Sequence, residues 1–343
     1  MYLQALATAV PPSAYTQAEC WEIASRSQVR QRLSRRSMLT LNKILHGNSG
    51  IQTRHFAMPE IDRIFDLEPD ELNSVFRGEA PALAGRALEA ALSTDGIGPA
   101  DVDALLVCTC TGYLCPGITS YVAERMGLRT DVFLQDIVGL GCGAAIPTLR
   151  AASHILAAHP GATVACIAVE VCSAAFYLDD DPGVLISACL FGDGAAATVW
   201  RSKPGPTGLR CFDFQTLHLP AERDKLRFEV RNGKLRNLLD RTVPEVAANA
   251  VGRLWSGRGD RPVGSVVSHA GGRDVLEALA PAVSGHSLET SARVLGRCGN
   301  MSSPSVLFVL EESMKAGGPG NGGDFWLVSF GAGFSAHSCR VGL

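Results

Sequence analysis

The sequence predicts an α/β protein whose sheets are covered by helices on both faces and which is built from two similar halves. Segments typical of strands and of helices alternate along the chain, and the strand segments are continuously apolar, which indicates burial on both faces. The order of segments in residues 102–171 recurs in residues 262–333. A length of 343 residues suits two fused halves of roughly 150 residues each.

The elements predicted for the first half follow one another in strand and helix order. The opening MYLQALATAV is typical of a strand, and residues 17–60 are predicted to be helical and basic. Beyond them the sequence predicts a helix over 80–95, a buried strand over 102–111, a helix over 118–128, a strand over 131–138, a helix over 143–158 and a strand over 162–171.

The second half repeats this order. It predicts a strand and loop over 262–272, a helix over 273–283, a helix that starts just after Gly299 and a strand over 324–333. Pro147 follows Cys142 and Pro304 follows Asn300 at similar spacing, early in each helix, where a missing N–H costs least. We therefore expect a pseudo-duplication, with residues 1–200 as the N-terminal half and residues 201–343 as the C-terminal half.

Composition and charge exclude several classes of protein. A net charge of −3 gives no support for general nucleic-acid binding. No apolar run reaches the ~18–20 residues of a membrane span, and the opening segment lacks the basic region and long apolar core of a signal peptide. We therefore expect a cytoplasmic protein whose eleven cysteines are mostly buried thiols. The CTC segment with Cys115 has no matching Cys/His pair nearby, so no metal site is expected.

One cysteine stands apart from the other ten. Cys142 lies between two glycines where a strand segment becomes a helical one, and the N–H groups of a helix N-terminus favour a thiolate. His269 stands at the end of a buried strand, where its imidazole can form an ion pair with that thiolate. Asn300 supplies a neutral donor which, with His269, can hold a carbonyl oxygen that gains charge. The duplication predicts that Cys142 and Asn300 meet at the centre.

These residues lie in motifs that resemble those of a known family. The motifs are GLGCGAA at 139–145, CLFGDGAAA at 189–197, SHAGG at 268–272, GNMSS at 299–303 and SFGAGFS at 329–335. Their types and order are similar to those of the chalcone-synthase-like enzymes, the type III polyketide synthases. The resemblance implies a thiolase fold of five layers, αβαβα, in a homodimer. It also implies an acyltransferase that works directly on coenzyme A (CoA) thioesters, without an acyl carrier protein and without a metal or organic cofactor.

The resemblance also implies a reaction sequence. Cys142 would accept the acyl group of an acyl-CoA starter, and His269 and Asn300 would polarise the thioester carbonyl of malonyl-CoA. Decarboxylation would give an enolate that attacks the acyl-Cys142 thioester, and repeated extension would end in cyclisation. The motifs are similar to those of the bacterial branch of the family, whose members form alkylresorcinols and alkylpyrones. This similarity implies an aliphatic starter and an alkylpyrone, resorcinol or phloroglucinol-type product.

Further positions are assigned by the same resemblance. Phe191 and Phe228 match gatekeepers between a CoA tunnel and the cavity, although Phe228 is also open to interpretation as a core aromatic. Cys115 matches the residue that reaches across the dimer interface. The cavity itself would be lined by Cys110, Thr111, Cys172, Ala175, Ser302 and Gly331. Lys43 and Arg54 are candidates for the CoA phosphates, and the basic residues around them are equally well explained as a solvated helical face.

Two alternatives remain open from the sequence. A ketoacyl-ACP synthase III-like enzyme also uses Cys, His and Asn, but performs a single condensation on a carrier protein. A catalytically inactive homologue that serves as a scaffold is the second alternative, and the presence of Cys142, His269 and Asn300 argues against it.

Overall fold

The computed structural model describes residues 1–93, 96–320 and 322–343. The strands are β1 Tyr2–Ala9, β2 Ala14–Thr16, β3 Thr53–His55, β4 Ala104–Thr109, β5 Phe133–Val138, β6 Val164–Glu170, β7 Gly194–Arg201, β8 Arg210–His218, β9 Leu226–Arg231, β10 Lys234–Leu239, β11 Val263–Ser268, β12 Asp324–Gly331 and β13 Ser335–Gly342. The α-helices are α1 Gln17–Arg26, α2 Val29–Arg32, α3 Arg35–Leu45, α4 Pro69–Leu92, α5 Ile118–Met126, α6 Ala145–Ala158, α7 Pro182–Leu190, α8 Val243–Ser256, α9 Arg273–Leu279, α10 Glu289–Cys298 and α11 Ser305–Lys315.

The strand pairing shows the duplication directly. In the first half β1 pairs antiparallel with β7, β7 antiparallel with β6, and β6 parallel with β4, with β5 parallel at the edge. In the second half β8 pairs antiparallel with β13, β13 antiparallel with β12, and β12 parallel with β11. The same order and directions therefore occur twice, and the two half-sheets join where Tyr2 of β1 pairs with Arg210 of β8.

Alternation along the strands divides the core into layers. On β4, Leu105 and Val107 pack with α4 and α5, whereas Leu106 and Cys108 face a second cluster that contains α6 and α11. Strand β12 contributes to that same second cluster from one face and packs its other face against α8 and α9. Helices α6 and α11 thus lie between the two half-sheets, and the predicted five-layered αβαβα thiolase fold is confirmed.

A further apolar cluster lies within the N-terminal half, around the Cys142 turn. It joins the N-terminal helices α1 and α3 to α7, and it includes Cys142, Cys172 and Phe191. The cysteine singled out from the sequence therefore lies at the boundary between the layered core and the N-terminal helices.

Three predicted boundaries were wrong. The helical region expected over 17–60 ends at Leu45, because glycines interrupt it and the chain then forms β3, paired with β2. The helix expected over 80–95 begins at Pro69, where the Glu71 carboxylate accepts the Glu68 N–H at 2.9 Å, and it ends at Leu92; residues 94 and 95 lie outside the described residues. The helix expected just after Gly299 begins at Ser305.

Within the residues that the structure describes, none of the helices combines the length and hydropathy needed to cross a lipid bilayer.

Candidate active site

Cys142 lies in a tight turn that leads into α6. The turn is a 3₁₀ segment, Gly141–Gly143, and Gly141 has a φ of +55°, a conformation that favours glycine. The Cys142 side chain is 9% exposed, and the Ser302 hydroxyl donates a hydrogen bond to its Sγ at 3.2 Å. The sulfur is therefore held at the N-terminal end of a helix, as predicted, but inside the protein.

His269 is the first residue after β11. Its backbone N–H donates to the Val328 carbonyl at 2.9 Å, which extends the pairing of β11 with β12 by one residue. The imidazole is buried and meets the Phe330 ring edge-on, with 5.3 Å between centroids. Its Nδ1 is buried without a hydrogen-bond partner in the described part of the chain, so no protein acceptor fixes the tautomer.

Asn300 is positioned by a strand-like bridge, and not by the helix N-terminus expected from the sequence. It bridges to Phe191, and its N–H donates to the Leu190 carbonyl at 2.9 Å. The side-chain Oδ1 accepts the Ser302 N–H at 2.8 Å, while Nδ2 donates to the Gly271 carbonyl at 3.0 Å. The carboxamide is therefore fixed in orientation, and one of its two N–H bonds is left for a ligand.

Two residues join these three side chains into one site. Ser302 contacts Asn300 through its N–H and Cys142 through its hydroxyl. Gly271 accepts the hydrogen bond from Asn300, and its backbone lies so close to the His269 ring that an added Cβ would be 3.3 Å from Nε2. A continuous run of contacts thus leads from Cys142 through Ser302, Asn300 and Gly271 to His269.

Burial determines the protonation states of Cys142 and His269. Desolvation raises the pKa of Cys142 to about 12, opposed by the hydrogen bond from Ser302, and desolvation lowers the pKa of His269 to about 4. Both groups are therefore neutral near pH 7 before substrate binds. The thiolate expected from the sequence is not favoured, because the helix N-terminus could be inferred from the pattern but the burial of the sulfur could not.

The pH dependence of Cys142 alkylation follows from this. Because the thiolate is the nucleophile, the rate with iodoacetamide is expected to rise about tenfold per pH unit from about pH 7 to about pH 9. Peptide mapping by mass spectrometry measures Cys142, and the exposed Cys115 supplies an internal comparison. A plateau already reached below about pH 7 would contradict the neutral pair and restore the thiolate.

Seven of the residues assigned to the substrate cavity by resemblance line one small cavity. They are Cys110, Thr111, Cys172, Ala175, Phe191, Phe228 and Ser302. The free space in it is only about 20 Å³, the size of one water molecule. A second cavity of about 850 Å³ shares Cys110, Thr111 and Phe228 with it. This small cavity is therefore nearly filled by side chains, and the larger cavity adjoins it. Ser302, which lines the small cavity, connects it to Cys142 through the hydrogen bond to the Cys142 Sγ.

Glu170 is an important residue that sequence reasoning missed. It ends β6 and is fully buried, and burial raises the pKa of its carboxyl. Its Oε2 accepts bonds from the loop after β4, including the Cys110 N–H at 2.9 Å and the Thr111 hydroxyl at 2.9 Å, and its Oε1 accepts the Ser303 hydroxyl at 2.5 Å. One carboxylate therefore ties the Cys110 loop to the segment that carries Ser302. Its only sequence signal was an acidic residue inside a continuously apolar strand.

Asp193, in the CLFGDGAAA motif, is a second buried acidic residue near the cavity. It is fully buried, and desolvation raises the pKa of its carboxyl to about 6. It accepts bonds from the Ser173 N–H at 2.9 Å and the Ala57 N–H at 2.6 Å. Since Ser173 lies between Cys172 and Ala175, Asp193 supports the cavity wall.

The structure does not bring Arg54, Lys43 or Cys115 to the cavity. The prediction for Arg54 needs an exposed guanidinium, but Arg54 is 1% exposed and donates from Nη1 to the Ala188 and Phe191 carbonyls at 2.7 and 2.9 Å. It caps the end of α7 and supports Phe191, so contact with CoA phosphates is not supported. Lys43 is exposed on α3, and Cys115 is exposed on the surface of its own chain.

Gly331 packs closely against the backbone of the turn that carries Cys142. A Cβ added there would meet backbone atoms, at 2.8 Å from the Cys142 nitrogen and 2.7 Å from the Gly143 nitrogen. Gly331→Ala is therefore expected to displace the turn, lower condensation activity by about 10²-fold and lower the free energy of unfolding by about 1–3 kcal/mol. Product formation and chemical denaturation measure the two effects.

The matched control is Gly78→Ala, on an exposed face of α4 where an added Cβ meets nothing within 4 Å. This variant should keep full activity and gain up to about 1 kcal/mol of stability. Full activity in Gly331→Ala would show that the turn does not depend on this close backbone contact.

Comparisons with known proteins agree with the geometry. Residues 2–208 match the family model described as FAE1/Type III polyketide synthase-like protein, and residues 259–343 match the model for 3-oxoacyl-[acyl-carrier-protein] synthase III, C terminal. The chain is 33% identical to a 1,3,6,8-tetrahydroxynaphthalene synthase of Streptomyces peucetius subsp. caesius, covering 97% of this chain and 90% of the relative. It is 31% identical to a 3,5-dihydroxyphenylacetyl-CoA synthase of Streptomyces toyocaensis, covering 79% and 74%.

A solved structure shows the same architecture. The crystal structure of 1,3,6,8-tetrahydroxynaphthalene synthase from Streptomyces coelicolor A3(2), a bacterial type III polyketide synthase, superposes with a TM-score of 0.88 at 27% identity and covers 99% of each chain. Fold and sequence together define a condensing acyltransferase with the thiolase fold. Because similarity to polyketide synthases extends over nearly the whole chain, this protein belongs to the type III polyketide synthase family.

Proposed function

We propose that this enzyme condenses malonyl-CoA units with an acyl group carried on Cys142 and then releases a cyclised polyketide. The observation that carries the proposal is the continuous run of contacts that joins Cys142, Asn300 and His269 inside one buried site. The proposal needs no cofactor, since loss of carbon dioxide from the malonyl group itself supplies the carbanion.

Acyl loading uses the neutral pair. The Cys142 thiol transfers its proton to His269, which the lowered pKa keeps unprotonated and able to act as a base. The sulfur attacks the thioester carbonyl of the acyl-CoA, and the C–S bond to CoA breaks. The departing CoA sulfur takes the proton from His269, so an acyl-Cys142 thioester and free CoA result.

Extension uses His269 and Asn300 as hydrogen-bond donors. A neutral His269 N–H and the free Asn300 N–H are proposed to hold the thioester oxygen of malonyl-CoA while its carboxylate leaves as carbon dioxide. The electron pair of the broken C–C bond forms the enolate, whose carbon attacks the acyl-Cys142 carbonyl. A new C–C bond forms and the C–S bond to Cys142 breaks, which leaves the extended chain as a CoA thioester and Cys142 as a thiolate that takes a proton from water. Transfer of the chain back to Cys142, by the loading step described above, precedes the next extension.

An aliphatic acyl-CoA is the starter that we propose. The lining of the small cavity includes Cys110, Cys172 and Ala175, which are small and offer few strong hydrogen-bond groups to a hydroxylated ring. The adjoining cavity of about 850 Å³ has apolar lining residues such as Leu72 and Phe76. An alkyl chain can therefore be accommodated beyond the cysteines if the side chains between the two cavities move.

A malonyl-only route is the second candidate. The free space in the small cavity is about 20 Å³, and a relative that matches 97% of this chain is named for tetrahydroxynaphthalene, a ring system with no alkyl chain. One incubation separates the two candidates. Malonyl-CoA with octanoyl-CoA, without carrier protein, should give alkylpyrones or alkylresorcinols, identified by mass. A hydroxynaphthalene from malonyl-CoA alone, with octanoyl-CoA left unused, would contradict the aliphatic starter, and products that require a carrier protein would contradict the proposed function.

We further propose a homodimer that forms through the edge of the first half-sheet. Strand β5 is paired on one side only, and Phe133, Leu134 and Val138 on it are exposed. Cys115, which is exposed in its own chain, would then be free to reach the partner's cavity.

Sedimentation velocity tests the dimer. We expect twice the chain mass of 36.2 kDa for the unmodified protein and a monomer for Phe133→Lys, because a charge on β5 opposes edge pairing. Val230→Lys, at an exposed position near the end of β9, is the matched control and should remain dimeric. A monomeric unmodified protein at micromolar concentration would contradict this proposal.

We also propose a cytoplasmic location. All eleven cysteines are unpaired, as is usual for proteins of a reducing compartment.

A further inference from the structure

Ser302 has an unusual backbone for a residue with a side chain. Its φ is +59°, in the left-handed region that glycine adopts most easily, and the residue is 1% exposed. Local hydrogen bonds hold this conformation, because its N–H is bound by the Asn300 Oδ1 and its carbonyl accepts the Ser305 N–H at 3.2 Å. Glycine would satisfy both backbone bonds without strain, so the presence of serine points to a use for the hydroxyl.

The hydroxyl lies between two thiols. Its Oγ is 3.2 Å from the Cys142 Sγ and 3.2 Å from the Cys110 Sγ. A serine hydroxyl has one proton to donate, so donation to Cys142 leaves its lone pairs to accept the Cys110 S–H. The resulting chain has one direction, from Cys110 through Ser302 to Cys142, and both of its hydrogen bonds favour negative charge on the Cys142 sulfur.

The surroundings of Cys142 otherwise disfavour that charge. Cys110, Cys172 and Glu170 are the acidic groups that face it, and a negative charge on any of them opposes a thiolate. Glu170 fixes one end and the middle of this hydrogen-bonded chain, because its carboxyl accepts bonds from the Cys110 N–H and from the hydroxyl of Ser303, the residue after Ser302. The donor is therefore preorganised where charge develops, which is the arrangement that stabilises transition states most effectively.

We propose that Ser302 is a catalytic residue of acyl loading, whose hydroxyl donates to the Cys142 sulfur and stabilises the thiolate that forms as the sulfur attacks the acyl-CoA. The step is the one described above: the thiol proton moves to His269, the new C–S bond forms, and the departing CoA sulfur takes that proton. The role rests on the proposed function for its biological meaning, but the hydrogen bond can be tested without any substrate.

The test compares Ser302→Gly and Ser302→Ala with the unmodified enzyme. Glycine removes the hydroxyl, keeps the N–H that binds Asn300 and relieves the backbone strain, so it isolates the hydroxyl from folding defects. We expect iodoacetamide to alkylate Cys142 roughly 10-fold more slowly at a given pH in both variants, with the rate profile displaced to higher pH. Cys110→Ala should shift the profile in the same direction by a smaller amount.

Ser313→Ala is the matched control, since the Ser313 hydroxyl is buried without a hydrogen-bond partner in the described part of the chain. With substrate, acyl loading of Ser302→Gly should fall by a larger factor than its malonyl-CoA decarboxylation. Alkylation of Ser302→Gly at the unmodified rate across the pH range would overturn the proposal, and so would a loss confined to decarboxylation. Slower alkylation in an enzyme that makes no polyketide would instead support the hydrogen bond and contradict the proposed function.

Discussion

Cys142→Ala is expected to abolish acyl loading and therefore all product formation. In the proposed mechanism the Cys142 sulfur forms the acyl-enzyme bond, so its removal leaves no atom to carry the acyl group. His269 and Asn300 keep their positions in this variant, so malonyl-CoA should still lose carbon dioxide. Intact-protein mass spectrometry after mixing with acyl-CoA measures loading, and release of carbon dioxide measures the second reaction.

Cys20→Ala is the control for this experiment, because Cys20 is a buried thiol in the same cluster of N-terminal helices and has no proposed chemical role. It should load acyl groups at close to the unmodified rate. A stable acyl adduct on Cys142→Ala would mean that another residue is the nucleophile.

Asn300→Ala is expected to slow decarboxylation of malonyl-CoA by roughly 10²–10³-fold, as loss of one oxyanion donor does in other enzymes. The variant loses the free N–H that is proposed to hold the substrate oxygen, and it also frees the Ser302 N–H from its acceptor. Release of carbon dioxide at saturating malonyl-CoA measures the effect on the chemical step.

Asn300→Asp separates the loss of the N–H donor from the loss of the acceptor for the Ser302 N–H. The carboxylate keeps an acceptor for the Ser302 N–H but has no N–H donor, and its negative charge opposes the enolate. Decarboxylation should therefore be as slow as in Asn300→Ala or slower. Recovery of activity in Asn300→Asp would show that Asn300 positions Ser302 and does not hold the substrate oxygen.

The sequence was sufficient to predict the features that depend on local pattern. Continuously apolar strands such as β4 and β6, and the recurrence of their order around β11 and β12, led to the layered fold and its duplication. The positions of Cys142 and His269 followed because each adjoins an element with a clear period.

Features that depend on packing between distant segments could not be predicted in this way. Arg54 looked like a surface cation, yet its guanidinium serves carbonyl groups at the end of α7, more than a hundred residues away in the chain. The hydrogen bonds that Glu170 accepts and the left-handed backbone conformation of Ser302 also depend on packing between distant segments. Burial, which is likewise a property of the folded chain, raises the pKa of Cys142 and opposes the thiolate expected from the sequence.

The most direct test of the central claim is to locate the acyl group on the unmodified enzyme. Incubation with octanoyl-CoA and no malonyl-CoA, followed by acid quench and peptide mapping, should show one octanoyl group per chain, bound as a thioester to Cys142. Acyl label on Cys110 or on the exposed Cys115 in place of Cys142, or no label with octanoyl-CoA, acetyl-CoA or malonyl-CoA, would contradict the account of this site.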